Sequence, residues 1–446
     1  MLCQTLLMLT LPVKSPAMRP ASVGSVDSDV RPVRCHWETA PSRPLCDEVI
    51  EGIEAAWSLQ VDGLGWPEPI GDDDGILDVY VSSDAGGGAY AYGPWEDAEV
   101  IDGRMASPAY IVIDPAFETW IYWTMLHEFN HVLQYSIDVS ESRYVAWEGT
   151  ATAVESWSDP DLLPMDDYIV DFQATPWVGL LGDGWMLEED YGIWSLYEYG
   201  AAMWLFHLDA TTGDGAGSAG LDLWLNNAQP SWDNEPDFID AAGMATGNWV
   251  DGWMDFSMDR VAVGTANTPD WAATYGDSKF AIGVERSARA DELPLSVTPA
   301  FMPFQTGAVY VEVTGLTPGQ TLVVEADGDP SVRWAVFAVD GDDGDWSEGP
   351  SVEWAVQSET VTVGAVNLGP EGFDADDPIE AAGLQLKVRL GGDSEASDEG
   401  TKVTGCACSA QSLPSGSPWV WALLLSIVGA ARRSSSEDKG LRALRR

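Results

Sequence analysis

Thr119-Trp120-Ile121-Tyr122-Trp123-Thr124-Met125-Leu126-His127-Glu128-Phe129-Asn130-His131-Val132-Leu133-Gln134-Tyr135 is the stretch on which the reading of this chain turns. Its apolar residues recur at helical spacing, so the pattern predicts a helix from Thr119 to Tyr135. On such a helix His127 and His131, four residues apart, present both imidazoles on one face and can chelate a single ion. The chain has 4 histidines. A pair at this spacing with glutamate after the first is expected by chance about once in several hundred such sequences. Zinc takes neutral nitrogen ligands in a tetrahedron and, in a catalytic site, keeps one position for water. Glu128 lies about 100° around the helix from His127, where its carboxylate can take a proton from that water.

A catalytic site needs a third protein ligand, and Glu148, opening a second predicted helix from Ala146 to Trp157, is the best candidate. The polar stretch Ser136 to Val145 is long enough to reverse the chain. Gly149, Ala151 and Ala153 allow the two helices to approach closely. Glu155, two turns beyond Glu148, reads either as a carboxylate that orients one of the imidazoles or as a solvated helix residue. Hydrolysis also calls for a donor to the developing oxyanion. Tyr199 and His207, eight residues apart on a predicted helix from Tyr197 to Asp209, both qualify, set against the commoner fates of a core tyrosine and a hydrogen-bonded helix histidine. His36 has no such context and reads as structural or exposed.

Around this centre, 446 residues suggest two domains with terminal appendages. Twenty-one Lys and Arg stand against 72 Asp and Glu, a formal charge of -51, which repels nucleic acid and anionic membrane surfaces. The acids are scattered, which describes a solvated surface, with salt adaptation as a second explanation. The expected fold class is α+β: a metallohydrolase domain over residues 30–290, then a small all-β sandwich over 293–390. Strands are expected at Ile76–Val81 and Tyr110–Asp114. A helix is expected at Asp47–Leu59, and further helix around Leu221–Leu225 and Trp249–Val261. Alternating runs such as Ala308–Val313, Thr321–Ala326 and Val332–Phe337 mark the sandwich.

The ends read as targeting segments. Leu2 to Val13 is mostly apolar and suggests a secretory signal within residues 1–25, although positive residues before it are missing. Residues 391–404 read as a flexible linker. Within the tail, 405–446, Trp419 to Ala431 is an apolar run stopped by Arg432 and Arg433, short for a membrane span, with a flank that suggests a cytoplasmic end. In an exported protein Cys35 and Cys46 can close a disulfide; a metal site with His36, lacking an obvious fourth ligand, and free thiols are the alternatives. The acidic turns Asp72-Asp73-Asp74 and Asp340-Gly341-Asp342-Asp343-Gly344-Asp345 offer oxygens of the kind that bind calcium, without helix-loop-helix spacing. A surface turn is the simpler reading. Most of the 22 tryptophans read as packing residues.

These motifs in order resemble a known family. Asp74-Gly75-Ile76-Leu77-Asp78-Val79-Tyr80-Val81, Tyr110-Ile111-Val112-Ile113-Asp114-Pro115, His127-Glu128-Phe129-Asn130-His131, Trp147-Glu148-Gly149-Thr150-Ala151 and Tyr199-Gly200 are similar to secreted metalloproteases of myxobacteria, of the glutamate-ligand class of zinc proteases, the gluzincins. The resemblance covers roughly Val30 to Ala290. It implies zinc held by His127, His131 and Glu148, with Glu128 as catalytic acid and base. Many gluzincins carry an acidic residue four positions after the glutamate ligand, where this chain has Thr152. Separately, Gly405-Cys406-Ala407-Cys408, the apolar run and the arginines resemble the myxobacterial carboxy-terminal sorting signal, which implies membrane anchoring before processing and a protein exported to the cell surface. The expected activity is a zinc-dependent endopeptidase acting on protein or peptide substrates. A surface adhesion or binding protein with a structural zinc site is the alternative, and hydrolysis of a non-peptide bond would use the same centre.

Overall fold

The computed structural model describes residues 19–117, 120–160, 166–273, 283–377, 379–392 and 401–404. The apolar run of the amino-terminal signal, Trp419 to Ala431, and Cys406 and Cys408 lie outside the described residues. The first sheet is built from β1 (Gly24–Asp27), β2 (Val33–Trp37), β3 (Leu77–Val81), β4 (Ala89–Tyr92) and β7 (Tyr110–Ile113), with a separate hairpin of β5 (Glu99–Ile101) and β6 (Arg104–Ala106). Its strand order is β1-β2-β3-β7-β4, with β2, β3 and β7 parallel and the edge strands β1 and β4 antiparallel to their neighbours. β1 begins inside the segment expected to be signal.

Alternation sorts the two faces of this sheet. Val33, Cys35, Val79, Val81, Ile111 and Ile113 point into one core with Val49 and Ile53 of α1 (Arg43–Trp57) and Met125 and Phe129 of α2 (Ile121–Tyr135). Tyr80, Tyr110 and Val112 form a smaller cluster on the opposite face. α1 lies against α2 so closely that a Cβ on Gly52 would stand 3.0 Å from the Met125 side chain. Cys35 of β2 and Cys46 of α1 are disulfide-bonded, which ties sheet to helix. Nε2 of His36 donates to Asp78 at 2.9 Å, and the ring stacks on Tyr80.

α3 (Tyr144–Ser158) returns across α2. The helices continue with α4 (Asp166–Ala174), α5 (Gly184–Tyr191), α6 (Tyr197–Gly200), α7 (Ala202–Thr212), α8 (Ser218–Asn227), α9 (Phe238–Thr246), α10 (Trp249–Asp259) and α11 (Asp270–Ala273). The run expected as one helix, Tyr197 to Asp209, is divided at Ala201. Among the described residues no helix is long and apolar enough to cross a membrane.

The fold is α+β, with helices and several sheets followed by a β-rich region. That region is a sandwich of two five-stranded sheets. One has the order β13-β12-β15-β10-β8, comprising β8 (Ala288–Ala290), β10 (Ala308–Thr314), β12 (Trp334–Asp340), β13 (Asp343–Glu348) and β15 (Thr360–Asn367). The other has the order β14-β11-β16-β9-β17, comprising β9 (Leu295–Thr298), β11 (Thr321–Gly328), β14 (Ser351–Ala355), β16 (Leu384–Leu390) and β17 (Thr401–Thr404). β17 falls in the stretch expected to be a linker and runs parallel to β9.

The first of these sheets is buried on both faces. Val309, Val311, Val336 and Ala338 face the second sheet, while Ala308, Tyr310, Ala335, Phe337 and Val339 join the core of the helical region. Tyr310 donates to the Ser257 carbonyl and Trp253 to the Thr306 carbonyl, so α10 is fastened to the sandwich. Residues up to Thr404 accordingly form one compact unit.

Candidate metal centre

α2 is buried on all sides from Thr124 to Gln134, as a central helix is. Its polar side chains must therefore find partners inside the protein. Asn130 donates to Gln60, and Gln60 donates to the Leu126 carbonyl at 2.7 Å, one residue before His127. α3 approaches beside it, and Gly149 lets the chain of α6 come near, since a Cβ there would meet the Glu198 carbonyl at 3.3 Å and the Ala201 methyl at 3.4 Å.

Three ligand atoms converge where these helices meet. Nε2 of His127 and Nε2 of His131 are 3.0 Å apart, and Oε2 of Glu148 lies 3.1 Å from the first and 3.3 Å from the second. All three residues are buried, and they form the group of metal-holding geometry found among the described residues. Vertices of a tetrahedron around an ion with bonds near 2.0–2.1 Å are about 3.3 Å apart, so the spacing suits a zinc-sized ion.

The opposite ring atoms decide what lies between the three. Nδ1 of His127 donates to Glu155 at 2.5 Å, because a carboxylate only accepts. Nδ1 of His131 donates to the Gln134 side-chain oxygen at 2.6 Å, and the Gln134 amide nitrogen, which donates to the Trp147 carbonyl at 3.0 Å, fixes that orientation. Both neutral rings thus aim Nε2 lone pairs at a carboxylate oxygen. Only a positive charge, a proton or a metal ion, makes that convergence stable. Burial opposes protonation of His127, yet its bonds to Glu148 and Glu155 hold its pKa well above the ordinary value. Burial likewise opposes ionisation of Glu148, but the His131 charge and the bonds to both imidazoles hold its carboxyl far below the usual range. The three residues fit a divalent cation of zinc's preferences, and a metal ion can be held here.

Glu128 and Tyr199 complete the surroundings. Burial pushes the Glu128 carboxyl up from its ordinary value, opposed by the charges of His127 and His131, and α2 packs against edge strand β4. The Tyr199 ring stacks on His127 with centroids 5.7 Å apart. Its buried hydroxyl has no hydrogen-bond partner among the described residues, and burial, then the Glu148 and Glu198 charges, raise its pKa well above normal.

The structure brings together His127, Glu128, His131, Glu148 and Tyr199. It does not bring His207 to them: that ring packs against Phe256 and Trp271, with Nε2 3.4 Å from Asp259. The division at Ala201 removes the single helix face on which Tyr199 and His207 were expected to align. Glu155 is buried on His127 and not solvated. Thr152, in the position where an acid is common in the resembled family, is buried with no hydrogen-bond partner for its hydroxyl among the described residues. The acidic turns behave as surface turns: Asp72 pairs with Arg19 and Asp74 with Arg34, while Asp340 accepts the backbone N–H groups of Gln357 and Ser358.

Sequence reasoning missed Gln134, Gln60 and Glu198. Gln134 lies three residues after His131, a spacing that could have flagged it. Glu198 accepts from the Gly184 N–H, and burial pushes its carboxyl up to about 8.

No family model matches the chain, and no curated protein matches its sequence. Among solved structures, an aminopeptidase A of Legionella pneumophila, determined in complex with aspartic acid, is similar at a TM-score of 0.32 and 11% identity, over 74% of this chain and 34% of that one. A family GH115 4-O-methyl-alpha-glucuronidase with specificity for decorated arabinogalactans is similar at a TM-score of 0.15 and 10% identity, over 63% of this chain and 45% of that one. The chain thus spans about a third of the length of the aminopeptidase.

Proposed function

We propose that this protein is a zinc-dependent endopeptidase, with His127, His131 and Glu148 holding the ion. The observation that carries this reading is the convergence of three lone-pair atoms, with both opposite ring nitrogens already committed, beside the buried Glu128 carboxylate. Zinc bound there would act as a Lewis acid and make water nucleophilic near neutral pH. Glu128 takes the proton of the attacking water and returns it to the departing amine; its burial-raised pKa makes it a stronger base than an exposed glutamate. Tyr199 offers its hydroxyl to the developing oxyanion. Glu155 and Gln134 keep both imidazoles in the tautomer that presents Nε2. β4, at the edge of the sheet and packed against α2, offers an extended peptide a strand to pair with.

Export accompanies this reading. The Cys35–Cys46 disulfide supports an oxidising compartment, and the carboxy-terminal tail would anchor the protein in a membrane until processed at the cell surface. The test compares the zinc-loaded chain with Glu128→Gln on denatured protein substrates. We expect the variant to keep its zinc and lose about 10²–10⁴-fold in cleavage rate. Equal rates would sink the mechanism, and zinc in a chain that cleaves nothing would favour a structural ion.

A further inference from the structure

Two tryptophans stand apart from the packing role expected of most. Trp95 and Trp232 are 54% and 46% exposed, and their rings lie on one another with centroids 5.4 Å apart and planes 11° from parallel. They come from loops far apart in sequence. Trp95 follows β4 by three residues, and Trp232 lies beyond α8. Both loops are held at their bases: the Met105 N–H donates to the Gln229 carbonyl at 2.6 Å, and Ser107 donates to the Pro94 carbonyl at 2.9 Å. The Ser107 N–H in turn donates to the Tyr135 carbonyl at the end of α2, and Gly93 is pressed onto the Tyr135 ring. The exposed pair is therefore a fixed platform built onto the end of the histidine helix.

Its surroundings are acidic. Residues 95–106 carry Glu96, Asp97, Glu99 and Asp102 against Arg104, and residues 231–236 carry Asp233 and Glu235 with no base. Glu96, Asp97, Glu99, Asp102 and Asp233 are exposed. Indole faces attract cations, Arg guanidinium above all because it also stacks flat, and nearby carboxylates add to that attraction. Exposed apolar area ringed by charge is the makeup of a recognition surface.

We propose that Trp95 and Trp232 form a subsite for an arginine- or lysine-bearing segment of an extended polypeptide whose neighbouring residues lie along β4. This rests on the endopeptidase reading for its place in the reaction, though not for the binding itself. Trp95 lies three residues beyond the end of β4, the edge strand packed against the helix that carries Glu128. The basic side chain therefore sits beyond the residues paired with β4, to one side of the bond that is cut.

The experiment uses the full zinc-loaded chain carrying Glu128→Gln and two fluorescent peptides of equal length, one with an Arg-Arg pair and one with Glu-Glu in its place. We expect the arginine peptide to bind about tenfold more tightly, with the difference lost in Trp95→Ala/Trp232→Ala and weakened by salt. Both side chains are exposed, so an unchanged melting temperature will show that the double variant folds. Equal affinity for the two peptides, or a preference that survives the double substitution, overturns the proposal. Wild-type chain digesting a protein mixture supplies the second measurement: basic residues enriched at one fixed position to one side of the cut support the subsite, and a flat distribution counts against it. Selective binding without any cleavage would remove the endopeptidase reading and leave the surface standing; cleavage without selectivity would do the reverse.

Discussion

Glu155 lies 2.5 Å from Nδ1 of His127, two helical turns along α3 from Glu148, which faces Nε2 of the same ring. One helix thus grips both edges of a single imidazole, one carboxylate setting its tautomer and the other meeting its Nε2. Removing such an outer partner typically costs 10–100-fold in metal affinity. Glu155→Ala is expected to bind zinc about 10–100-fold more weakly in a chelator competition, with Glu155→Gln, which still accepts, nearer wild type. Unchanged affinity in the alanine variant would show that packing alone orients His127.

Tyr199 carries a buried hydroxyl with no partner among the described residues, beside the ring of His127. Leaving such a group unmatched costs stability, about 1–3 kcal/mol, unless the bound substrate supplies its partner. Tyr199→Phe is therefore expected to fold at least as stably as wild type while kcat falls about 10²–10³-fold with KM little changed. Should kcat stay within twofold, Tyr199 is a packing residue and the oxyanion is stabilised elsewhere.

Glu141, in the segment leading into α3, accepts from the Arg143 N–H and from Asn227, and burial pushes its carboxyl up to about 8. The folded protein then holds a proton that the unfolded chain releases between pH about 4.5 and about 8. That contribution to stability is complete below the lower value and lost as pH rises through the upper one. Burial raises Asp138, to about 6, and Glu198 in the same direction. The melting temperature should fall as pH rises across this window, and Glu141→Gln should flatten the fall. A variant with the wild-type slope would mean that Glu141 ionises normally.

Arg143 donates to the carbonyls of Ala375 and Asp377, and Ser142 donates to Asp376, so the connection between β15 and β16 clasps the chain immediately before α3. Charged hydrogen bonds of this kind contribute about 1–3 kcal/mol. Arg143→Ala should lower the melting temperature and weaken zinc binding together, because Glu148 sits five residues on. Loss of stability with zinc affinity intact would confine the clasp to a structural role.

How much of this was legible differs by element, for physical reasons. α2 could be read because two signals coincide there, apolar residues at helical spacing and histidines four apart. β10 could be read because Ala308 to Val313 alternates strictly. β4 could not: Ala89-Tyr90-Ala91-Tyr92 is short, follows Gly86-Gly87-Gly88, and is a strand only because β7 lies beside it. The break at Ala201 adjoins Gly200, whose backbone is pressed against Tyr168 of α4, a contact that periodicity does not encode. The same limit applies at the metal centre. Ligand spacing within a helix is local, so His127 and His131 stood out, whereas Gln60 reaches α2 from 66 residues away. His207 misled because eight residues along one unbroken helix would have placed it beside Tyr199.

The sheet that contains β12 also bears on inheritance. Trp334, Val336 and Ala338 serve one core, and Ala335, Phe337 and Val339 serve the other, so a slip of one residue would exchange the two. Cut away from the helices, the sandwich would turn Tyr310 and Phe337 toward water, aromatic area of about 150–250 Å² each. Grafted onto another catalytic body it would meet no matching surface. Drift on either side of this sheet must be answered on the other, so the helical region and the sandwich are bound to change as one lineage and not as interchangeable parts.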